Sequence, residues 1–293
     1  MVLKALPTPS HFFYLQDKIE QEIAASIVSF GEKTKLRDAC EYALLSGGKR
    51  LRPLIVLMTG EALNNGLNVS PVALSVEFLH TSSLIADDLP CMDNDDERRN
   101  KPSLHKVYGE NISLLASYTL ICAGFERIHH NAQIMKQGPS PFADYADQAC
   151  TVALGHAARC AGILGATGGQ FLDLFPPQHN LDTLKEIIYK KTITLFEVSF
   201  SLGWIFGGGN SSKLEQVKKA AYHLGMAFQI ADDLEDIDQD DKGPNIANFL
   251  GKERCLAVFQ NEMQNFRYEL EDLGLWTASF EKMCNQLTKV TTR

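Results

Sequence analysis

Ser83-Leu84-Ile85-Ala86-Asp87-Asp88-Leu89-Pro90-Cys91-Met92-Asp93-Asn94-Asp95-Asp96 is the stretch that decides how this chain is read. Five aspartates fall within ten residues, Glu97 follows, and the run leading into them is apolar. Far downstream, Phe228-Gln229-Ile230-Ala231-Asp232-Asp233-Leu234-Glu235-Asp236 repeats the arrangement: an apolar stretch again enters Ala-Asp-Asp-Leu. A helix that carries acids out of a buried run must find them a counter-charge. The two segments therefore read as facing walls of one cation site, and the rest of the chain as the frame that holds them.

That frame reads as helical. Phe13, Leu15, Ile19, Ile23 and Ile27 recur at three- and four-residue spacing and predict a helix over 12–30. The pattern continues over 34–45 and stops at Ser46-Gly47-Gly48. Pro53 opens the next helix, 54–62, as a first-turn proline should. Asn64 to Asn68 reads as a turn. Further helices are expected over 71–89, 110–136, 142–174, 181–206, 211–238, 252–272 and 276–290. The breaks fall at Gly138-Pro139-Ser140-Pro141, Pro176-Pro177 and Gly207-Gly208-Gly209-Asn210. No run alternates with period two over more than a few positions. The expectation is an all-α chain of about ten helices or more, one domain over residues 1–293.

Composition narrows the function. With 45 % hydrophobic and 22 % charged residues, the chain has the profile of a globular protein with a sizeable core. A net charge of -8 argues against nucleic acid as the main partner. Seven scattered cysteines without a C-x-x-C pair point to reduced thiols and a cytoplasmic chain. No signal peptide and no uninterrupted apolar run of membrane-spanning length is visible, so no stable membrane anchor is expected.

Three groups of residues carry chemistry. On a helix, Asp232 and Asp236 share a face, since each residue turns by about 100°. Two such carboxylates repel unless a cation bridges them, and Mg2+, a hard ion that prefers oxygen, suits them. Asp87 and Asp93 are six apart, about 240° on an ideal helix. A bulge near Pro90 that absorbs two residues is expected to bring them to one face. Gly47-Gly48-Lys49-Arg50-Leu51-Arg52-Pro53 puts three cations at a helix start, where backbone N–H groups already attract anions. Taken singly, each has a bland reading as a solvated acidic end or a charged loop. Together, acids that need metal and cations that need anions point to a diphosphate ester bound through magnesium.

The chain also resembles the trans-isoprenyl diphosphate synthases, the farnesyl and geranylgeranyl diphosphate synthase family, over roughly residues 12 to 260. Gly47 to Pro53, Asp87-Asp88-x4-Asp93 followed by Arg98-Arg99, Gly168-Gly169-Gln170-x2-Asp173, Lys191-Thr192 and Phe228-Gln229-x2-Asp232-Asp233-x2-Asp236 stand in the family's order. The resemblance implies a helical bundle around a central cavity, the isoprenoid synthase fold, acting as a homodimer. It implies that Lys49, Arg52, His80 and Arg99 hold isopentenyl diphosphate. Arg98, Lys191 and Lys242 would hold an allylic diphosphate, whose three Mg2+ ions are carried by Asp87, Asp93 and Asp232. Asp88 and Asp236 would belong to the same metal-site carboxylates, with Asp233 nearby. Thr192 and Gln229 would turn dipoles toward the allylic cation. Departures are Ala86 where the family commonly has His, Ser117-Tyr118 where Gly-Asp is usual, and a short segment after Asp236. Ser82, five before Asp87, is small where bacterial-type farnesyl synthases carry an aromatic floor. The implied product is therefore C15 to C20, leaning to C20, unless Phe78 blocks the pocket one turn deeper. The rival readings are a non-catalytic subunit of a heteromeric synthase and a class I terpene cyclase.

Overall fold

The computed structural model describes residues 9–236 and 245–291. Among them, α1 (Pro9–Ser26) runs into a 3-10 turn at Ile27–Phe30, and α2 (Lys35–Leu44), α3 (Leu51–Leu63) and α4 (Ser70–Asp87) follow. A short hairpin, β1 (Glu97–Arg98) and β2 (Lys101–Pro102), precedes α5 (Leu104–Tyr108), α6 (Glu110–Lys136), α7 (Phe142–Ala161) and α8 (Ala166–Leu174). The second half holds α9 (Leu181–Ile187), a π-helical turn at Ile188–Ile193, α10 (Thr194–Phe206), a 3-10 turn at Ser211–Lys213 and α11 (Leu214–Glu235). Three helices close it: α12 (Ile246–Leu250), α13 (Lys252–Asp272) and α14 (Ala278–Val290).

The all-α expectation holds, with differences that matter. The single helix expected over 142–174 is broken after Ala161, and Gly162 and Gly165 make the break. By length and mean hydropathy alone Phe142–Leu174 could cross a membrane; in the fold it is two helices packed against α6, α10 and the π-turn. The helix expected over 181–206 is interrupted by the π-turn. The hairpin carries no period-two signal because each strand has two residues.

Two helices form the axis. Every residue of α10 is buried, and α4 buries thirteen of its eighteen. Helices apolar all round belong inside a bundle. Around them α4 packs on α6 and α3, and α10 on α3, α11 and α7. Caps fix the ends as the side chains dictate: Thr34 accepts from the Arg37 N–H at 3.2 Å and Asn180 from the Thr183 N–H at 2.9 Å.

One buried ion pair locks the start of α3 to the axis. Arg50 caps α3 in the left-handed region (φ 48°) and is 4 % exposed. It donates to Glu77 of α4, to Glu20 of α1 at 2.7 Å and to the Leu44 carbonyl at 2.6 Å. Of the three cations in the basic run, Arg50 is thus consumed by the fold. Replacing Arg50 with Met strands a carboxylate in the core and should lower unfolding free energy in urea by about 3–5 kcal/mol. The double variant with Glu77→Leu should recover most of that loss.

Candidate active site

The first acidic cluster is built by a turn. α4 stops at Asp87, and the chain doubles back so that the Asp93 N–H donates to the Asp87 carbonyl at 2.9 Å. Met92 and Asn94 donate to the Leu89 carbonyl at 2.8 and 3.1 Å, with Asn94 left-handed at φ 53°. The expected helix bulge is therefore replaced by a closed loop, because Pro90 ends the helix instead of bending it. Burial pushes the Asp87 carboxyl up to about 6, Lys191 opposes the shift and Asp93 adds to it. Gln170 of α8 reaches Asp93 at 3.4 Å.

Asp88 behaves differently from its neighbour. It is 3 % exposed and its carboxylate takes both Nε and Nη2 of Arg98, the former at 2.9 Å. Arg98 also donates to Asp95 at 2.9 Å. Asp87 lines the large cavity described below, while Asp88 lines a small one beside Arg98, Arg99 and Thr81. The structure therefore places Asp88 in a different cavity from Asp87, and Arg98, expected to hold the allylic diphosphate, is itself held by carboxylates. The physical reason is that a buried carboxylate must be paired.

The hairpin aims the two arginines. Arg99 and Asn100 are both left-handed (φ 56° and 60°), the two central residues of a tight turn between Arg98 and Lys101. Arg99 donates to the Gly47 carbonyl, and its guanidinium lies against Gly48, where a Cβ would sit 2.6 Å from Cζ. The glycine pair thus seats Arg99, while α2 has already ended at Leu44.

Opposite lies a cationic wall with unmet donors. Arg52 is packed 4.9 Å over the Phe196 ring and 3.3 Å from the His80 Nε2. Burial lowers the Arg52 guanidinium to about 10 even though Glu77 and Asp232 support its charge. Burial, and then the surrounding arginines, drive the His80 imidazole well below its usual value, so it is neutral. Arg52 Nε and His80 Nδ1 are buried without a hydrogen-bond partner. Lys49 is exposed, 6.0 Å above Phe228, and is the charge that most opposes the rise of Asp232.

The second cluster ends α11. Burial pushes the Asp232 carboxyl up to about 6, and Glu235, Asp233 and Asp236 add to the effect. Asp236 caps the helix, its N–H bonded to the Asp232 carbonyl at 3.2 Å. Asp233 is an anchor: it accepts from the Ile246 N–H at 2.7 Å and from Gln229 at 2.8 Å, and its carbonyl accepts from Asn245. Gln229 in turn receives the Thr192 hydroxyl at 2.8 Å. Because Asp233 only accepts, the Gln229 amide is oriented with its oxygen toward Thr192.

The π-turn joins the two clusters. It carries Thr192, bonded to α11, and Lys191, which pairs with Asp173 of α8 at 2.5 Å and acts electrostatically on Asp87 and Asp93. Gly169 permits the approach, since a Cβ there would strike the backbone of Lys190 and Lys191. Beside Asp87 and Lys191 opens a cavity of about 560 Å3, lined mainly by apolar and small side chains such as Leu79, Ser82, Ile121, Phe125 and Leu195. Phe78 is not in its wall: it is fully buried against Phe30 and Arg127. Lys242 lies outside the described residues. Sequence reasoning missed Glu77, whose signal was a carboxylate in the middle of an apolar helix, and left Asp173 and Gly169 without a role.

The donor set on the acidic side is carboxylate oxygen alone, which fits a hard divalent ion such as Mg2+. Residues 33–255 match the polyprenyl synthetase family. The chain belongs to that family. The polyprenyl synthetases similar to it include an Arabidopsis thaliana heterodimeric geranylgeranyl pyrophosphate synthase large subunit 2, 34 % identical over 82 % of this chain and 62 % of that protein. A chloroplastic geranylgeranyl pyrophosphate synthase 7 of the same plant is 38 % identical over 74 % of this chain and 61 % of its own length. The chain thus spans about three fifths of these curated relatives. Among solved structures, a farnesyl/geranylfarnesyl diphosphate (FPP/GFPP) synthase from Zymomonas mobilis superposes with a TM-score of 0.82 at 28 % identity, covering 97 % of this chain and 100 % of that one. A geranyltranstransferase from Thermotoga maritima gives 0.80 at 28 % identity, over 96 % and 99 %. These likenesses match the helical bundle expected from the sequence. In this polyprenyl synthetase, Gly169→Ala should cost about 1–3 kcal/mol in denaturant unfolding. It should also lower kcat, because relieving the clash moves the backbone that carries Lys191.

Proposed function

We propose that this chain is a Mg2+-dependent trans-prenyl diphosphate synthase that joins an allylic diphosphate to isopentenyl diphosphate and releases a C15–C20 product, mainly C20. The observation that carries the reading is buried acids set close to buried cations that lack partners. Asp232, held up near 6, acts on Arg52, whose Nε, like His80 Nδ1, has no partner. The π-turn that carries Lys191 beside Asp87, also held up near 6, bonds α11 through Thr192. A diphosphate with its cations satisfies both.

In this reading Asp87, Asp93 and Asp232 would hold three Mg2+ ions, with Asp236 supporting them and Asp88 positioning Arg98. Bound magnesium supplies Lewis-acid stabilisation of the departing diphosphate. Lys191 and Arg98, with Lys242 as the sequence suggests, hold the allylic diphosphate and add fixed positive charge where negative charge develops. Lys49, Arg52, His80 and Arg99 hold the diphosphate of isopentenyl diphosphate. Thr192 has its proton committed to Gln229, which Asp233 polarises, so the Thr192 oxygen turns a lone pair toward a developing allylic cation. The apolar cavity takes the growing chain and keeps water from the cation. The proton lost after condensation goes to the released diphosphate.

Product length follows from depth. Ser82 lines the cavity and Phe78 faces away from it. Leu79, eight residues before Asp87 and so about 12 Å along α4, also lines it, as does Phe125. Exposed Leu114, Leu115 and Tyr118 on α6 support a homodimer, and seven free cysteines support a reducing cytoplasm.

The test is turnover of labelled isopentenyl diphosphate with dimethylallyl, geranyl or farnesyl diphosphate, followed by chromatography of the dephosphorylated product. C15–C20 chains should form only with Mg2+ present, and chelation should abolish them. Asp87→Ala and Asp232→Ala should each lower kcat by about 100-fold or more. Ser82→Phe should shorten the product. A product of C10 alone, or of C30 and longer, would overturn the length assignment. Silence of the purified chain would favour a subunit role, and hydrocarbon release without isopentenyl diphosphate would favour a cyclase.

A further inference from the structure

Away from the cleft, one carboxylate interrupts the fully buried helix α10. Glu197 is 8 % exposed, and α7 presents His156 and Cys160 to it from positions i and i+4, which share a helix face. One nitrogen of His156, the Cys160 sulfur and one Glu197 oxygen all lie within 4.8 Å of one another. The imidazole nitrogens are 3.8 Å from Cys160 Sγ. Zinc bonds of about 2.3 Å to sulfur and about 2.0–2.1 Å to nitrogen, at tetrahedral angles, place those two donors about 3.6 Å apart. The pair therefore sits near ligand spacing before any ion arrives.

We propose that His156, Cys160 and Glu197 form a second cation site, for a zinc-type divalent ion, separate from the acidic cleft. Nitrogen, sulfur and carboxylate donors together select a borderline metal over Mg2+. Three protein ligands leave a fourth position open, and it faces a cavity of about 640 Å3 that gives an entry path. The surroundings orient the donors: Tyr189 hydrogen-bonds the Glu197 carboxylate. Burial lowers His156 to about 4, which keeps the imidazole neutral with a lone pair to give. The same burial raises the Cys160 thiol to about 12, so binding would displace its proton. The nearby cations do not close the site. Lys218 is paired with Glu215 at 2.7 Å, while Arg159 and Lys219 also line the cavity and favour an anion as fourth ligand.

The site bears on the cleft through one element. Tyr189, which holds Glu197, lies two residues before Lys191 in the same π-turn. An ion here would pin α7, α10 and that turn to one another. This proposal stands independently of the prenyl-transfer reading.

The test is titration of the reduced, metal-stripped full chain with Co2+ in excess Mg2+. One equivalent should give a thiolate-to-cobalt charge-transfer band and the intense visible bands of tetrahedral Co2+, and Zn2+ should abolish both. Cys160→Ser should remove the charge-transfer band, His156→Gln should weaken binding by more than about tenfold, and Tyr189→Phe by about tenfold. Cys91→Ser and Cys122→Ser, at exposed thiols, should leave the band in place. Circular dichroism confirms that each variant is folded, and His156→Gln, which keeps the thiol, covers failure of Cys160→Ser to fold. Absence of a thiolate band in the parent chain, or its survival in folded Cys160→Ser, would overturn the assignment.

Discussion

The structure depends on keeping like charges close together where water is scarce. Asp93 helps to raise Asp87, and Glu235 and Asp236 help to raise Asp232; Arg52, Arg99 and Arg50 are cations that weaken the charge of His80. Neither group can relieve the repulsion by moving apart, because each is mounted on its own rigid element. The acids sit at the ends of α4 and α11, the cations at the start of α3 and on the hairpin. What holds these elements against the repulsion is the apolar axis of α4 and α10, together with pairs placed behind the cleft. Glu77 takes Arg50, Asp88 takes Arg98, Asp173 takes Lys191 and Asp233 takes the start of α12.

This division of labour explains why neighbouring residues of one type have different fates. Asp87 and Asp88 are adjacent, yet one faces the large cavity and the other is folded into an ion pair. Arg50 and Arg52 are two apart, yet the first is a structural strut and the second keeps a nitrogen unpaired. Residue type alone does not separate such pairs. Position on the helix face, and which neighbour arrives first with a counter-charge, does.

Much of the frame was legible in the sequence because its helices are long and their apolar positions periodic. The ends of α4, α6 and α13 fall within two residues of where the pattern puts them. The cleft was legible as an association of acids and cations with a family's order. Three features were not. The π-turn carries the same periodic signal as the helices it joins, so 181–206 reads as one helix. The hairpin is too short to alternate. The return of Asp93 to Asp87 depends on backbone hydrogen bonds, which leave no mark in side-chain patterning beyond the proline that permits them. His156, Cys160 and Glu197 leave no joint signal in the sequence because they lie on two separate helices, and only packing makes them neighbours.

The closed loop between Asp87 and Asp93 gives the two acidic motifs unequal freedom to drift in length. An added residue in that loop only enlarges a surface turn, at a small entropic cost, and the returning carboxylate can still dock. An added residue between Asp232 and Asp236 would swing the second acid by about 100° around α11 and carry it out of the cleft. Lineages descended from such a fold should therefore vary in spacing at the first motif and stay fixed at the second.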